Sequence, residues 1–176
     1  MSQADSTGTT ITPVQGYPDR GQLLPDFVLT SSEGEPTQIS DYRGRSNLVL
    51  ALADEPDGGY LGEMARRHAE FLEEEAKVAA IFQCSWKRAR LIKDQQQLPF
   101  LVLADGDGTV YRSLGALTPA GKLAPAVYIT DRFGETFAAY RTADGQPVPS
   151  TDELLEWLRF INRQCPECFP SEWPAQ

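Results

Sequence analysis

With 176 residues, 41% of them hydrophobic and 23% charged, the chain is long enough for one domain with a substantial buried core. Its net charge of −9 argues against nucleic acid and anionic membranes as partners, because both select a cationic surface. No apolar run reaches the length of a membrane helix, and residues 1–22 lack a basic start followed by an apolar stretch. Neither an anchor nor a secretory leader is therefore expected, and the cytoplasm is the default location.

Residues 1–20 are small and polar with no hydrophobic period, and are expected to form a mobile tail. A single domain is expected over 21–163, with an extension over 164–176. A short strand is expected within Leu23–Thr30, kept at an edge by Pro25. Ser31–Glu35 is a turn, and Thr37–Ile39 pairs back as a hairpin. Ser40–Gly44 reads as one helical turn closed by glycine. The run Leu48-Val49-Leu50-Ala51-Leu52-Ala53 then has the length and continuity of a strand buried on both faces. It breaks into Asp54–Gly59, a stretch of turn formers, and a helix opens near Tyr60 or Leu61.

Apolar residues recur at Leu61, Met64, Ala65, Leu72 and Ala76, with His68 on the same line, which is helical spacing. The opposite face carries Arg66, Arg67, Glu70, Glu73, Glu74 and Glu75 and reads as solvated, with Arg66 and Glu70 placed to pair. Lys77–Gln83 is a second buried strand. Ser85 caps a helix to about Gln97, with Trp86, Ala89 and Ile92 inward. Phe100–Leu103 is a third buried strand, and the turn Ala104–Gly108 has too few acidic positions for an EF-hand, so calcium is not expected. A short helix over Val110–Leu114 follows, then a strand within Ala124–Asp131 and its antiparallel partner over Glu135–Arg141. Ser150 caps the last helix, with Glu153 at the capping-box position and Leu154, Leu155, Trp157, Leu158 and Ile161 inward. This order implies an α/β fold with a parallel crossover beside an antiparallel hairpin. Open sheets of this kind hold ligands at the carboxyl ends of their strands, so the loop Asp54–Tyr60 should border any site.

The cysteines are Cys84, Cys165 and Cys168, too few and too uneven for a disulfide framework. Cys165-Pro166-Glu167-Cys168 has the C-x-x-C spacing of both a redox dithiol and half a zinc knuckle. The pair follows the C-terminal end of a helix and contains Glu167, two features that disfavour a thiolate; Arg159 and Arg163 offset part of this. As a metal site it supplies two of four ligands, so zinc would require a second copy of the chain in a homodimer. Disulfide, shared metal and inert thiols all remain open. Cys84 ends a strand just ahead of a helix and near Lys87, Arg88 and Arg90, a setting that lowers a thiol's pKa. Its alternative reading is a small, partly buried thiol without catalytic duty. His68 has no cysteine within local reach and is read as interfacial or exposed rather than as a general base. Trp86 and Trp157 are expected in the core.

Leu24-Pro25-Asp26-Phe27-Val28-Leu29, Glu33-Gly34 and Ile39-Ser40-Asp41-Tyr42-Arg43-Gly44 precede the central strand. Leu98-Pro99-Phe100 with Leu103–Gly108, and then Pro125–Gly134, follow it in fixed order. Over about Gly21 to Phe160 the chain thereby resembles the thioredoxin fold, and within it the peroxiredoxin-like alkyl hydroperoxide reductase/thiol-specific antioxidant (AhpC/TSA, redoxin) family. The resemblance implies a thioredoxin-like α/β domain, a central mixed sheet flanked by helices with an N-terminal β-hairpin. It also implies antioxidant or thiol–disulfide oxidoreductase chemistry, and a cis-proline beside the site at Pro125. Peroxiredoxins place P-x-x-x-[ST]-x-x-C after the central strand, and thioredoxin-like reductases place C-x-x-C there. The corresponding stretch, with Asp54, Pro56, Gly58 and Tyr60, carries neither pattern, so the loop is vacant of the family's main catalytic residue.

Three functional readings follow. In the first, Cys165 and Cys168 cycle between dithiol and disulfide with a protein thiol partner and no cofactor, with Cys84 as a further attacking thiolate. In the second, the chain is a non-catalytic module that binds partners along the vacant edge near Asp54–Tyr60. In the third, two copies share zinc through Cys165 and Cys168.

Overall fold

Every residue of Asn47–Ala53 is buried, which only the middle of a sheet covered on both faces provides. The computed structural model describes residues 16–54 and 59–164. Within them, seven strands form one sheet: β1 (Val28–Ser31), β2 (Pro36–Gln38), β3 (Asn47–Ala53), β4 (Ala76–Phe82), β5 (Leu101–Ala104), β6 (Ala126–Thr130) and β7 (Thr136–Arg141). Their spatial order is β2-β1-β5-β4-β3-β6-β7. The pairs β3–β4 and β4–β5 are parallel, and β1–β2, β1–β5, β3–β6 and β6–β7 are antiparallel. The expected mixed sheet with its N-terminal hairpin is thus present.

The five α-helices are α1 (Tyr60–Arg66), α2 (His68–Glu73), α3 (Trp86–Gln96), α4 (Thr109–Ser113) and α5 (Thr151–Asn162), with a 3-10 turn at Ile39–Tyr42. The period of two along a strand divides the core between the faces. Val49, Ala51 and Ala53 join Val78, Ala80 and Phe82 under α1, α2, α3 and α5. Leu48, Leu50 and Leu52 join Ala79 and Ile81 under α4 and the 3-10 turn. Ser150 Oγ accepts from Glu153 N at 3.2 Å, and Ser85 Oγ from Arg88 N at 3.3 Å, so both expected N-caps form. No helix among the described residues is long and apolar enough to cross a membrane.

Several sequence expectations need correction. The helix expected from Leu61 onward is two, broken at Arg67 (φ −105°, ψ 16°). Phe71 is its buried residue there, while Leu72 is 47% exposed and Ala76 already belongs to β4. Glu75, at φ 53°, makes the sharp turn into that strand. The ion pair on this segment is Arg67–Glu70 at 2.7 Å, not Arg66–Glu70, and Arg67 also reaches Asp152 on α5 at 2.6 Å. Trp86 lies outside the core, against Gly34 on the hairpin turn. Trp157 is only half-buried, because its indole N–H donates to the Tyr140 hydroxyl at 2.8 Å. Glu153 does not close a capping box, since its carboxylate accepts from Tyr140 Oη at 2.6 Å. Within the expected tail, Pro18 is buried and its carbonyl accepts from Arg141 at 3.1 Å, so packing begins upstream of Gly21.

Candidate functional site

The carboxyl ends of β3, β4 and β5 lie side by side, in the registers Ala53↔Phe82 and Phe82↔Ala104. β6 runs the other way, Leu52 pairing with Ala126, so Pro125 arrives at the same edge. Asp54, Tyr60, Cys84, Asp105 and Pro125 therefore converge there from distant parts of the chain. Pro56 and Gly58, also expected in the loop, lie outside the described residues.

One side chain ties this edge together. Tyr111, fully buried on α4, directs its hydroxyl to the carbonyls of Ala53 at 2.5 Å and Ile81 at 2.7 Å. It thereby bridges the last residue of β3 and the penultimate residue of β4. Burial pushes the phenol far up from its ordinary pKa, and the charges of Asp105, Asp54 and Cys84 push it further, so it remains a neutral donor.

Cys84 is half-buried and lies two residues before α3, whose cap is Ser85. The nearby Lys87 ammonium lies over the Trp86 ring at 5.7 Å. Asp105 is 1% exposed, and its Oδ2 accepts from Tyr111 N at 2.9 Å. Its Oδ1 has no hydrogen-bond partner among the described residues. Burial raises its pKa, and the neighbouring Asp107 adds to that rise against the opposing backbone bonds.

On the helical face of the same edge, a cavity of about 250 Å³ opens between Ala53, Asp54, Tyr60, Pro125, Thr142 and Val148. The Pro125 carbonyl accepts from the Thr142 amide at 3.0 Å and hydroxyl at 2.8 Å. The Tyr60 hydroxyl is buried without a partner among the described residues. Burial, with Glu153 and Glu63 nearby, drives its pKa well above the usual phenol value. Among the described residues no cysteine lines this cavity. His68 is half-buried with its ring against Phe100 at 5.9 Å, and burial lowers its pKa, assisted by Lys77. It stands outside the site.

Cys165 and Cys168 lie outside the described residues, but the point from which they depart is defined. α5 ends at the opposite edge of the sheet, where Asn47 Nδ2, at the start of β3, donates to Asn162 Oδ1 at 2.7 Å. The strand length separating that edge from Cys84 is about 20 Å at ~3.3 Å per residue. Cys165 is one Cα step of about 3.8 Å past Gln164. Among the described residues no group of three or more His, Cys, Asp or Glu is placed to hold a metal.

Comparison with known proteins agrees with this architecture. A model of the AhpC/TSA family matches residues 20–136, two-thirds of the chain. The chain belongs to the AhpC/TSA family. Among curated AhpC/TSA relatives, chloroplastic peroxiredoxin Q of Sedum lineare is 27% identical over 147 residues, covering 81% of this chain and 78% of its own. Peroxiredoxin Bcp of Bacillus subtilis (strain 168) is 28% identical over 90 residues, 49% of this chain and 57% of its own. Among solved structures, peroxidoxin BcpB from Mycobacterium tuberculosis superposes with a TM-score of 0.69 at 20% identity, over 82% of this chain and 99% of that one. The AhpC of Mycobacterium bovis gives 0.71 at 17% identity, over 91% and 100%. The chain is thus a peroxiredoxin-like protein on a thioredoxin-like fold. The sequence signals single out Cys84, Pro125 and the loop as candidates, and they pass over Tyr111 and Asp105, which the structure brings to the same edge. The only local signal for these two is a helix N-terminus after Asp105; the carbonyls that Tyr111 binds are 58 and 30 residues away.

Proposed function

We propose that this chain is a thiol-based redox protein of the peroxiredoxin class whose reactive thiol at the sheet edge is Cys84. Cys165 and Cys168 form a separate dithiol that exchanges with a protein thiol or disulfide partner. The observation carrying this reading is the place of Cys84, two residues past the end of β4, at the edge where β3 and β5 also end. The adjoining start of α3 presents the positive end of a helix dipole, which favours the thiolate. The thiolate attacks one oxygen of a hydroperoxide, forming an S–O bond as the O–O bond breaks. An alcohol or water leaves, and the thiol becomes a sulfenic acid. A second thiol from the partner then condenses with it, giving a disulfide and water. Thiol trapping and intact mass measurement, before and after a small dose of hydrogen peroxide, test the reading. One added oxygen or a mixed disulfide on Cys84, absent in Cys84→Ser, together with loss of two hydrogens across Cys165 and Cys168, is expected. Three thiols that ignore peroxide would sink it.

A second reading rests on a different observation, the cavity beside Tyr60. It is walled mainly by Ala53, Pro125, Val127 and Val148, and among the described residues it has an unpartnered phenol and contains no thiol. Such a site suits a binding module for a small apolar ligand or side chain bearing one acceptor. This reading expects Cys-to-Ser changes at all three positions to leave binding intact, while Tyr60→Phe weakens it.

A further inference from the structure

A second cleft, of about 380 Å³, opens at the opposite edge of the sheet from Cys84, and Gln164 forms part of its wall. Its other walls include Phe133 and Phe137 from the β6–β7 hairpin, Ile161 from α5, and Asn47 from the start of β3. Asn47 and Thr136 contribute to it while 1% and 0% exposed, and Asn47 Oδ1 and Thr136 Oγ1 have no partner among the described residues. Buried oxygens left unmatched beneath the cleft are polar groups that the described residues do not satisfy. The cleft continues past Arg20 toward Trp157 and Phe160, the latter 40% exposed and edge-on to both Trp157 and Phe137.

We propose that the occupant of this cleft is the chain's own segment 165–176, with Phe169 and Trp173 as its aromatic anchors. The segment leaves Gln164 on the rim, so it needs to span almost nothing, and its twelve residues are ample to cross the cleft. Tethering at that distance gives an effective concentration in the millimolar range, which makes even weak contacts sufficient. Pro166, Pro170 and Pro174 lower the conformational entropy lost on docking. Phe169 and Trp173 are the segment's large apolar side chains, and Phe133, Phe137 and Ile161 give the cleft its apolar wall. Arg20 and Arg132 on the wall, the latter also bonded to Glu75 at 3.0 Å, offer charge to Glu167 and Glu172; of the lining carboxylates Asp131 and Glu135, Asp131 is already held by the amides of Phe133 and Glu135 at 2.9 Å. Docking keeps Cys165 and Cys168 at the edge away from Cys84. It is independent of whether Cys84 is reactive.

The test uses the full chain labelled with 5-fluorotryptophan, which gives three fluorine resonances, that of Trp173 assigned with Trp173→Phe. Docking predicts a solvent isotope shift for Trp173 smaller than that for the partly exposed Trp86, and a return toward the free value in Phe133→Ala. An internal control for folding is the fluorine chemical shift of Trp86 in the same sample, which Phe133→Ala should leave in place. A Trp173 resonance with the full isotope shift of free 5-fluorotryptophan would overturn the proposal. So would shielding that disappears on dilution, because the occupant would then be the segment of a second copy.

Discussion

Tyr111→Phe isolates the role of one hydroxyl. The ring is retained in the same buried space, so the apolar packing against Leu52, Ile81 and Leu114 is unchanged in area. What is lost is the donor to Ala53 O and Ile81 O. Removing one partner of a buried hydrogen bond leaves the other desolvated without compensation, costing about 1–3 kcal/mol. For a domain of this size each kcal/mol lowers Tm by about 2–4 °C, so a fall of about 2–12 °C is expected. Urea denaturation should show a lower midpoint with an unchanged m-value, since the folded state loses no compactness. The same variant should modify faster at Cys84 with a small alkylating agent, because the strand ends beside it are no longer tied. A stability change within about 0.5 kcal/mol, the range of inconsequential substitutions, would refute the view that this hydroxyl holds the edge together.

Other outcomes are equally accessible. Asp105 has a folded-state pKa raised by burial, so its contribution is fully present below its unfolded value of about 3.9 and is lost as pH rises through the folded value. Asp105→Asn, which retains an acceptor for Tyr111 N, should therefore gain stability relative to the parent between pH 4 and pH 7, read as urea midpoints across that range. Gly134 has φ 88°, and a Cβ there would lie 2.7 Å from Arg43 Nε, whose guanidinium donates to the Leu24 carbonyl at 2.7 Å. Gly134→Ala should cost about 1–2 kcal/mol from the backbone alone, measurable by thermal unfolding. Ser150→Ala removes the cap of α5 and should cost about 1 kcal/mol, recovered in large part by Ser150→Asp under the same assay.

What the sequence made legible follows from where each signal resides. The Leu48–Ala53 run, the caps at Ser85 and Ser150 and the Phe100–Leu103 strand are local patterns, and each appears in the structure within a few residues. The break at Arg67 was not local. Its side chain is engaged by Glu70 and by Asp152, 85 residues on, and no periodicity reports such a contact. Trp86 was placed inward on hydrophobicity alone, but one face of its ring is taken by the hairpin turn at Gly34 and the rest is left to solvent. The candidate site divides in the same way. Its loop and Pro125 were visible through family resemblance, and Cys84 through its position at a strand end. Tyr111 and Asp105 became visible only when β5 and α4 were seen beside β3 and β4.

The bridge from Tyr111 gives the sheet edge a support that does not run through the chain after β3: it secures the strand ends from α4. A sheet whose strand ends depended on the following loop would fray whenever that loop changed. Here the frame is fixed from beneath, so the composition of residues 54–59 does not have to supply that tie. Their composition answers to whatever they meet, and the fold tolerates a loop of aspartate, proline and glycine where a thiol would otherwise be expected.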